Sequence, residues 1–249
     1  MRKILLAGLA GLMMTGLVMA QPKAKSKKEL DAFMEIQQAT TADARIAAAD
    51  KFVTSYADSQ LKAMALTMAA QAAEMKNDAP KAITYAETAL ESDPKSYQAM
   101  LVISGELAKG TRDNDLDKEE KLAKSEKMSH DAIEAIDAAQ KPNPQVTDDQ
   151  WNGYKKDLKS QAHENLGLAA LARKKYDVAI TEFKTSVDEA ATPDPATMVR
   201  LASAYDQGGK PDDGIAMLDK VLAMPNLNPV VKQFATSEKA RAQAAKNKK

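Results

Sequence analysis

Apolar and polar residues alternate along this chain with a period near 3.6, and the inward positions are held mostly by alanine rather than leucine. The stretch DAPKAITYAETALESDPKSYQAM, from Asp78 to Met100, shows the pattern: Ala82, Ala86 and Ala89 fall on one face, Leu90 follows, and Pro94 closes the run. Aligning Ala48, Ala82, Ala179 and Gly214 exposes a repeat. Four residues on lie Phe52, Ala86, Phe183 and Leu218, and eight on lie Tyr56, Leu90, Val187 and Leu222. The spacing is 34 residues from Ala48 to Ala82 and 35 from Ala179 to Gly214. Twelve residues ahead of the later copies sit Ala70, Gly167 and Ala202. Each copy is therefore expected to be two helices with a small residue on each where they cross, because small side chains let helix backbones approach.

The boundary signals agree with that register. Ser26 precedes Glu29, Asp117 precedes Glu120 and Thr147 precedes Gln150, each a capping side chain three residues ahead of Glu or Gln. Asp194-Pro195 and Asn228-Pro229 place an N-cap before proline, and Gly110 and Gly208-Gly209 mark turns. The middle departs from the period. A helix from Tyr97 to about Lys109 is followed by TRDNDLD and a long helix from Lys118 to about Ala139. Ser125, Ser129 and Ala132 take the small positions there. KPNPQVT, Lys141 to Thr147, reads as a linker within one array, with a sub-domain boundary at 140–147 as the alternative. The next helix is expected over Asp148 to Ala172. The hairpins fall at about 29–60, 63–94, 97–139, 148–193 and 195–226. A final helix from Asn228 to about Ala245, polar on its outer side, closes the array. The class is all-α.

The first twenty residues read separately. MRK, the apolar run Ile4 to Met19 and the small residues Val18 and Ala20 have the layout of a secretory signal peptide cut between Ala20 and Gln21, with a retained anchor as the competing reading. No other segment is apolar enough to span a bilayer. The expectation is an exported protein, periplasmic or secreted, without stable membrane insertion after cleavage. Residues 21–28 and the closing KNKK are short basic segments, expected to be solvated and mobile. Basic and acidic residues balance at 35 each, so no whole-molecule field draws nucleic acid or anionic lipid. The absence of cysteine excludes a disulfide framework and an acylated-cysteine anchor.

Leu166, Gly167, Ala170, Tyr176, Ala179, Phe183 and Ser186 in one copy, and Ala69, Ala70, Ala73, Ala82, Ala86, Ala89 and Pro94 in another, resemble the tetratricopeptide repeat motif. ARIAAADKFVTSYADS, Ala44 to Ser59, is similar to a variant in bacterial envelope proteins. The resemblance covers roughly residues 29–226. It implies a right-handed superhelix of about five hairpins with a concave groove lined by the first helix of each, a scaffold for peptides or helices. The inward-facing positions of the family fall on Met64, Thr67, Gln71, Met75, Gln98, Leu101, Gln161, Glu164 and Leu168. That surface is apolar and amide-bearing, with little charge, and suits a helix or extended apolar peptide.

Candidate chemistry is sparse. Asp113, Asp115 and Asp117 begin like a calcium loop, but Lys118 and Lys124 stand where the turn glycine and bidentate glutamate belong. Asp117 is then expected to cap the following helix. His130 and His163 are the only histidines, and His163 is expected to be packed and hydrogen-bonded. No phosphate-loop, dinucleotide or nucleophile-elbow motif occurs. Trp151 and Tyr154 are either a binding anchor or packing for the long preceding helix. No catalytic residue, cofactor or metal is expected, and the partner is a protein or peptide. The alternatives are a self-assembling structural protein or an accessory subunit of an envelope enzyme.

Overall fold

The computed structural model describes residues 23–246. The leader at residues 1–20 lies outside them. Eleven helices follow one another among the described residues: α1 (Lys27–Gln38), α2 (Ala42–Ser55), α3 (Lys62–Met75), α4 (Ala79–Ser92), α5 (Tyr97–Gly110), α6 (Lys118–Ala138), α7 (Asp148–Ala172), α8 (Tyr176–Glu189), α9 (Pro195–Gln207), α10 (Pro211–Leu222) and α11 (Pro229–Lys246). Each helix packs on its chain neighbour. Odd helices also pack on one another, α1 on α3, α3 on α5, α5 on α7 and α9 on α11, so the hairpins stack into a helical solenoid. Both α5 and α6 pack against α7 across the linker at residues 139–147.

Crossings occur where the small residues are. In the second hairpin Ala70, Ala73, Ala82, Ala86 and Ala89 are fully buried in one cluster with Leu66. In the fourth, Ala170 and Ala179 are buried with Phe183, and Gly167 lies beneath the Phe183 ring, where a Cβ would come within 2.6 Å of Cδ1. The third hairpin uses serine: buried Ser125 donates to the Ser104 carbonyl at 2.8 Å, while the Ser129 hydroxyl, also buried, has no partner.

Local signals explain the helix ends. Ser26 accepts from the Glu29 backbone N–H, and Thr147 with Gln150 makes a complete capping box. Asp194 caps α9 through the Ala196 N–H at 3.1 Å. Asp117 does not cap α6, contrary to the sequence expectation. Its carboxylate pairs with Lys121 at 2.9 Å instead. The turns after α3, α7 and α9 place Asn77, Lys174 and Gly209 in the left-handed region, at φ 58°, 60° and 78°. There the chain closes with backbone bonds from Asp78, Lys175 and Lys210 to Ala73, Ala170 and Tyr205.

Ion pairs repeat with the fold. Asp43 with Lys76, Glu74 with Lys109, Glu164 with Arg200, Asp177 with Lys210, Asp206 with Arg241 and Asp212 with Lys246 each join an acid to a base about one repeat later. The basic segment before α1 is also held. The Lys23 N–H donates to Gln60 Oε1 at 3.0 Å and the Lys25 ammonium to the Asp58 carbonyl at 2.8 Å, so these exposed residues are also tied to the α2–α3 turn. The final helix also departs from expectation: α11 exposes Val230 and Phe234, 59% and 62% accessible, so its surface is not polar throughout.

Candidate protein-binding face

Helical spacing gathers one row of side chains on the odd-helix layer. On α3, Met64, Met68, Gln71 and Met75 recur at offsets of four, three and four, which is one face of a helix. Met75 is 61% exposed and Met64 36%, while Met68 and Gln71 are half-buried. On α5 and α7 the same face carries Gln98, Gln161 and Leu168, all half-buried. Met34 on α1, also half-buried, lies on the helix that packs against α3. Methionine is flexible and polarisable, so a row of it can mould to different apolar surfaces.

Thr67, Leu101 and Glu164 are buried, and none forms part of the open surface. Each faces the next odd helix. The Thr67 hydroxyl donates to the Ala63 carbonyl at 2.8 Å and lies 3.4 Å from the Ser96 hydroxyl at the start of α5. Leu101 packs against Ala162 of α7, and its carbonyl accepts from the Asn165 amide at 3.3 Å. Glu164 accepts from the Arg200 guanidinium of α9 at 2.5 Å. Positions that the sequence assigns to the groove thus split by their place on the helix: Met64 and Met75 are open with Gln71 half-buried between them, and the row one turn around is the seam between repeats.

Two further features involve contacts between positions far apart in the sequence. α7 is 25 residues long, and its extra N-terminal turns carry the row onward to Tyr154, seven residues before Gln161 and 40% exposed. The Tyr154 phenol accepts from Gln98 Nε2 at 3.0 Å, and its ring stacks on buried Trp151 at 5.6 Å. Trp151 is therefore a support rather than an exposed anchor. Burial raises the Tyr154 phenol above its usual range, and burial together with Tyr154 raises that of Tyr97; both are neutral hydrogen-bonding groups at neutral pH. The second feature is charge. Lys109 of α5 bridges Glu74 of α3 at 2.9 Å and Glu106 at 2.5 Å. Burial alone would lower the ammonium's pKa, but the two carboxylates outweigh it and hold it raised. The odd-helix layer thus carries paired charges at Lys109 and Arg200, more than the sequence pattern indicates.

The other candidates have structural partners. His163 Nδ1 lies 2.7 Å from Glu182 Oε2, a packed and hydrogen-bonded histidine. Asp113 pairs with Lys118 and Lys174, and Asp115 pairs with Lys121 and accepts from the Arg112 N–H. These partners hold both carboxyls below the usual range. Among the described residues no group of His, Asp or Glu is placed to hold a metal ion, and no helix is long and apolar enough to cross a membrane.

No family model matches the chain, and no curated protein matches its sequence. Solved structures do match. A thermophilic TPR protein of Thermus thermophilus superposes with a TM-score of 0.57 at 16% identity, over 85% of this chain and 95% of that one. A tetratricopeptide repeat protein of Parabacteroides merdae aligns over 89% of this chain and 90% of its own, at 14% identity and a TM-score of 0.38. The first of these likenesses, with the stacked hairpins and their small-residue crossings, gives the chain its place: it is a helical-repeat solenoid with the tetratricopeptide repeat fold.

Proposed function

We propose that this chain is a non-enzymatic scaffold of the cell envelope that holds an apolar helix or extended peptide of another protein along its odd-helix face. One observation carries the reading: Met64 and Met75 stand exposed on a continuous row with Met68 and Gln71, at the spacing an amphipathic helix presents in return. Gln98, Gln161 and the Tyr154 phenol border the row and offer hydrogen bonds to a peptide backbone. The envelope assignment rests on the charged start, apolar run and small residues of the leader. N-terminal sequencing of protein from an envelope fraction should begin at Gln21; a chain beginning at Met1 would overturn export by cleavage.

Binding is tested with protein labelled at its methionine methyl groups and titrated with a synthetic amphipathic helix bearing leucine at i, i+4 and i+7. The Met64, Met68 and Met75 signals should shift, those of Met217 and Met224 should not, and Met75→Glu should weaken binding about tenfold or more. Shifts confined to Met217 and Met224, or none at all, would contradict the assignment.

A further inference from the structure

Among the described residues each odd helix from α3 to α9 packs between two even helices, whereas α11 packs on α9 and α10 alone. Its packed side carries Val231, Ala235 and Ala242 against α9 and α10. Apart from Lys232, exposed on another side of the helix, its charged residues are turned back: Lys239 pairs with Asp219 at 2.5 Å, Lys246 with Asp212 at 2.6 Å, and Arg241 with Asp206 and Glu238. What remains outward is a stripe of Val230, Phe234, Ser237, Ala240 and Ala244, all exposed. Arg241 is the one charge along it, and its guanidinium is already committed.

We infer that this stripe seats the same stripe of a second copy, two α11 helices crossing antiparallel about Ser237 to make a tail-to-tail dimer. Pairing about that residue sets Phe234 against Ala240 and Val230 against Ala244, large against small in both directions. It sets Arg241 against the Gln233 amide, so no like charges meet. Small residues at Ser237, Ala240 and Ala244 permit close backbone approach, as at the crossings within each hairpin. The other end of the rod does not suit the stripe: α1 exposes Lys27, Lys28, Asp31 and Glu35, which would lose solvation against an apolar surface. A stripe whose one charge meets an amide therefore complements itself better than it complements the head of a following chain. A helix of 18 residues is about 27 Å long, and the patch falls below the ~800 Å² per partner of a stable interface. The dimer is accordingly reversible.

Because the chain has no cysteine, single cysteines report the geometry cleanly. Under mild oxidation Ser237→Cys should give a covalent dimer. Lys232→Cys, exposed on another side of α11, should remain monomeric at the same concentration. Adding Phe234→Glu to Ser237→Cys should slow cross-linking about tenfold or more, with an unchanged helical dichroism spectrum, since the ring is largely exposed. Light scattering of the unmodified protein should rise toward two chains and stop. Equal cross-linking at both sites, no cross-linking at Ser237→Cys, or masses that grow past two chains as in head-to-tail stacking would each overturn the proposal.

Discussion

The second and fourth hairpins solve one problem in opposite ways. In α3 and α4 the crossing is alanine on alanine: Ala70, Ala73, Ala82, Ala86 and Ala89 are all fully buried. In α7 and α8 one partner gives up its side chain altogether, and Gly167 makes room for the Cγ, Cδ1 and Cε1 atoms of the Phe183 ring. The first arrangement spreads a thin contact over five residues, so each methyl contributes little and none has room to grow. The second concentrates it in a single ring that buries a large apolar area. Close approach, rather than any particular residue, is what recurs from one hairpin to the next in this molecule.

Mutations should separate the two solutions. Phe183→Ala should be the most damaging change, costing about 3–5 kcal/mol, because Gly167 offers no atoms to fill the cavity; chemical denaturation measures it. Ala86→Leu should cost about 1–3 kcal/mol by overpacking, where the same enlargement at a solvent-facing position would be neutral. The third hairpin extends the comparison. Ser129 stands where Ala86 stands, with a buried hydroxyl and no partner, so Ser129→Ala should stabilise by about 1 kcal/mol. The smallest effect belongs to the turn after α7. Lys174 holds a φ of 60° where the turn after α9 uses glycine, and Lys174→Gly should raise stability by about 0.5–1 kcal/mol, seen as a higher melting midpoint. A lower midpoint would show that its contact with Asp113, 3.2 Å away, outweighs backbone strain.

Much of this architecture was written locally. The range Asp148–Ala172 follows from Thr147 at one end and the loss of apolar period at the other, and α7 has those bounds. Ala70, Gly167 and Ala202 were readable because a small residue at a fixed offset has few other uses. The binding face was only half readable. Met64 and Thr67 lie three residues apart on one helix, and nothing local tells which is open and which is covered by α5. That depends on how far each hairpin is rotated against the next. Tyr154 was placed by the length of α7, which capping residues reveal, but its bond to Gln98 spans 56 positions. The ion pairs were hidden similarly: Arg200 is one basic residue among many until Glu164 is known to lie beside it. Lys174 gave no signal at all, since lysine has no preference for left-handed backbone.

The claim that small residues set the hairpin crossings is tested most directly by a double-mutant cycle on Gly167 and Phe183. Gly167→Ala alone should destabilise despite alanine's helix propensity, which favours it by about 1 kcal/mol, because the new Cβ meets a fixed ring. Phe183→Leu alone should cost about 1 kcal/mol. If the crossing is as described, the double variant recovers at least about 1 kcal/mol of the summed losses, the coupling expected of residues in contact. Strictly additive losses, or a Gly167→Ala chain more stable than the parent, would contradict it.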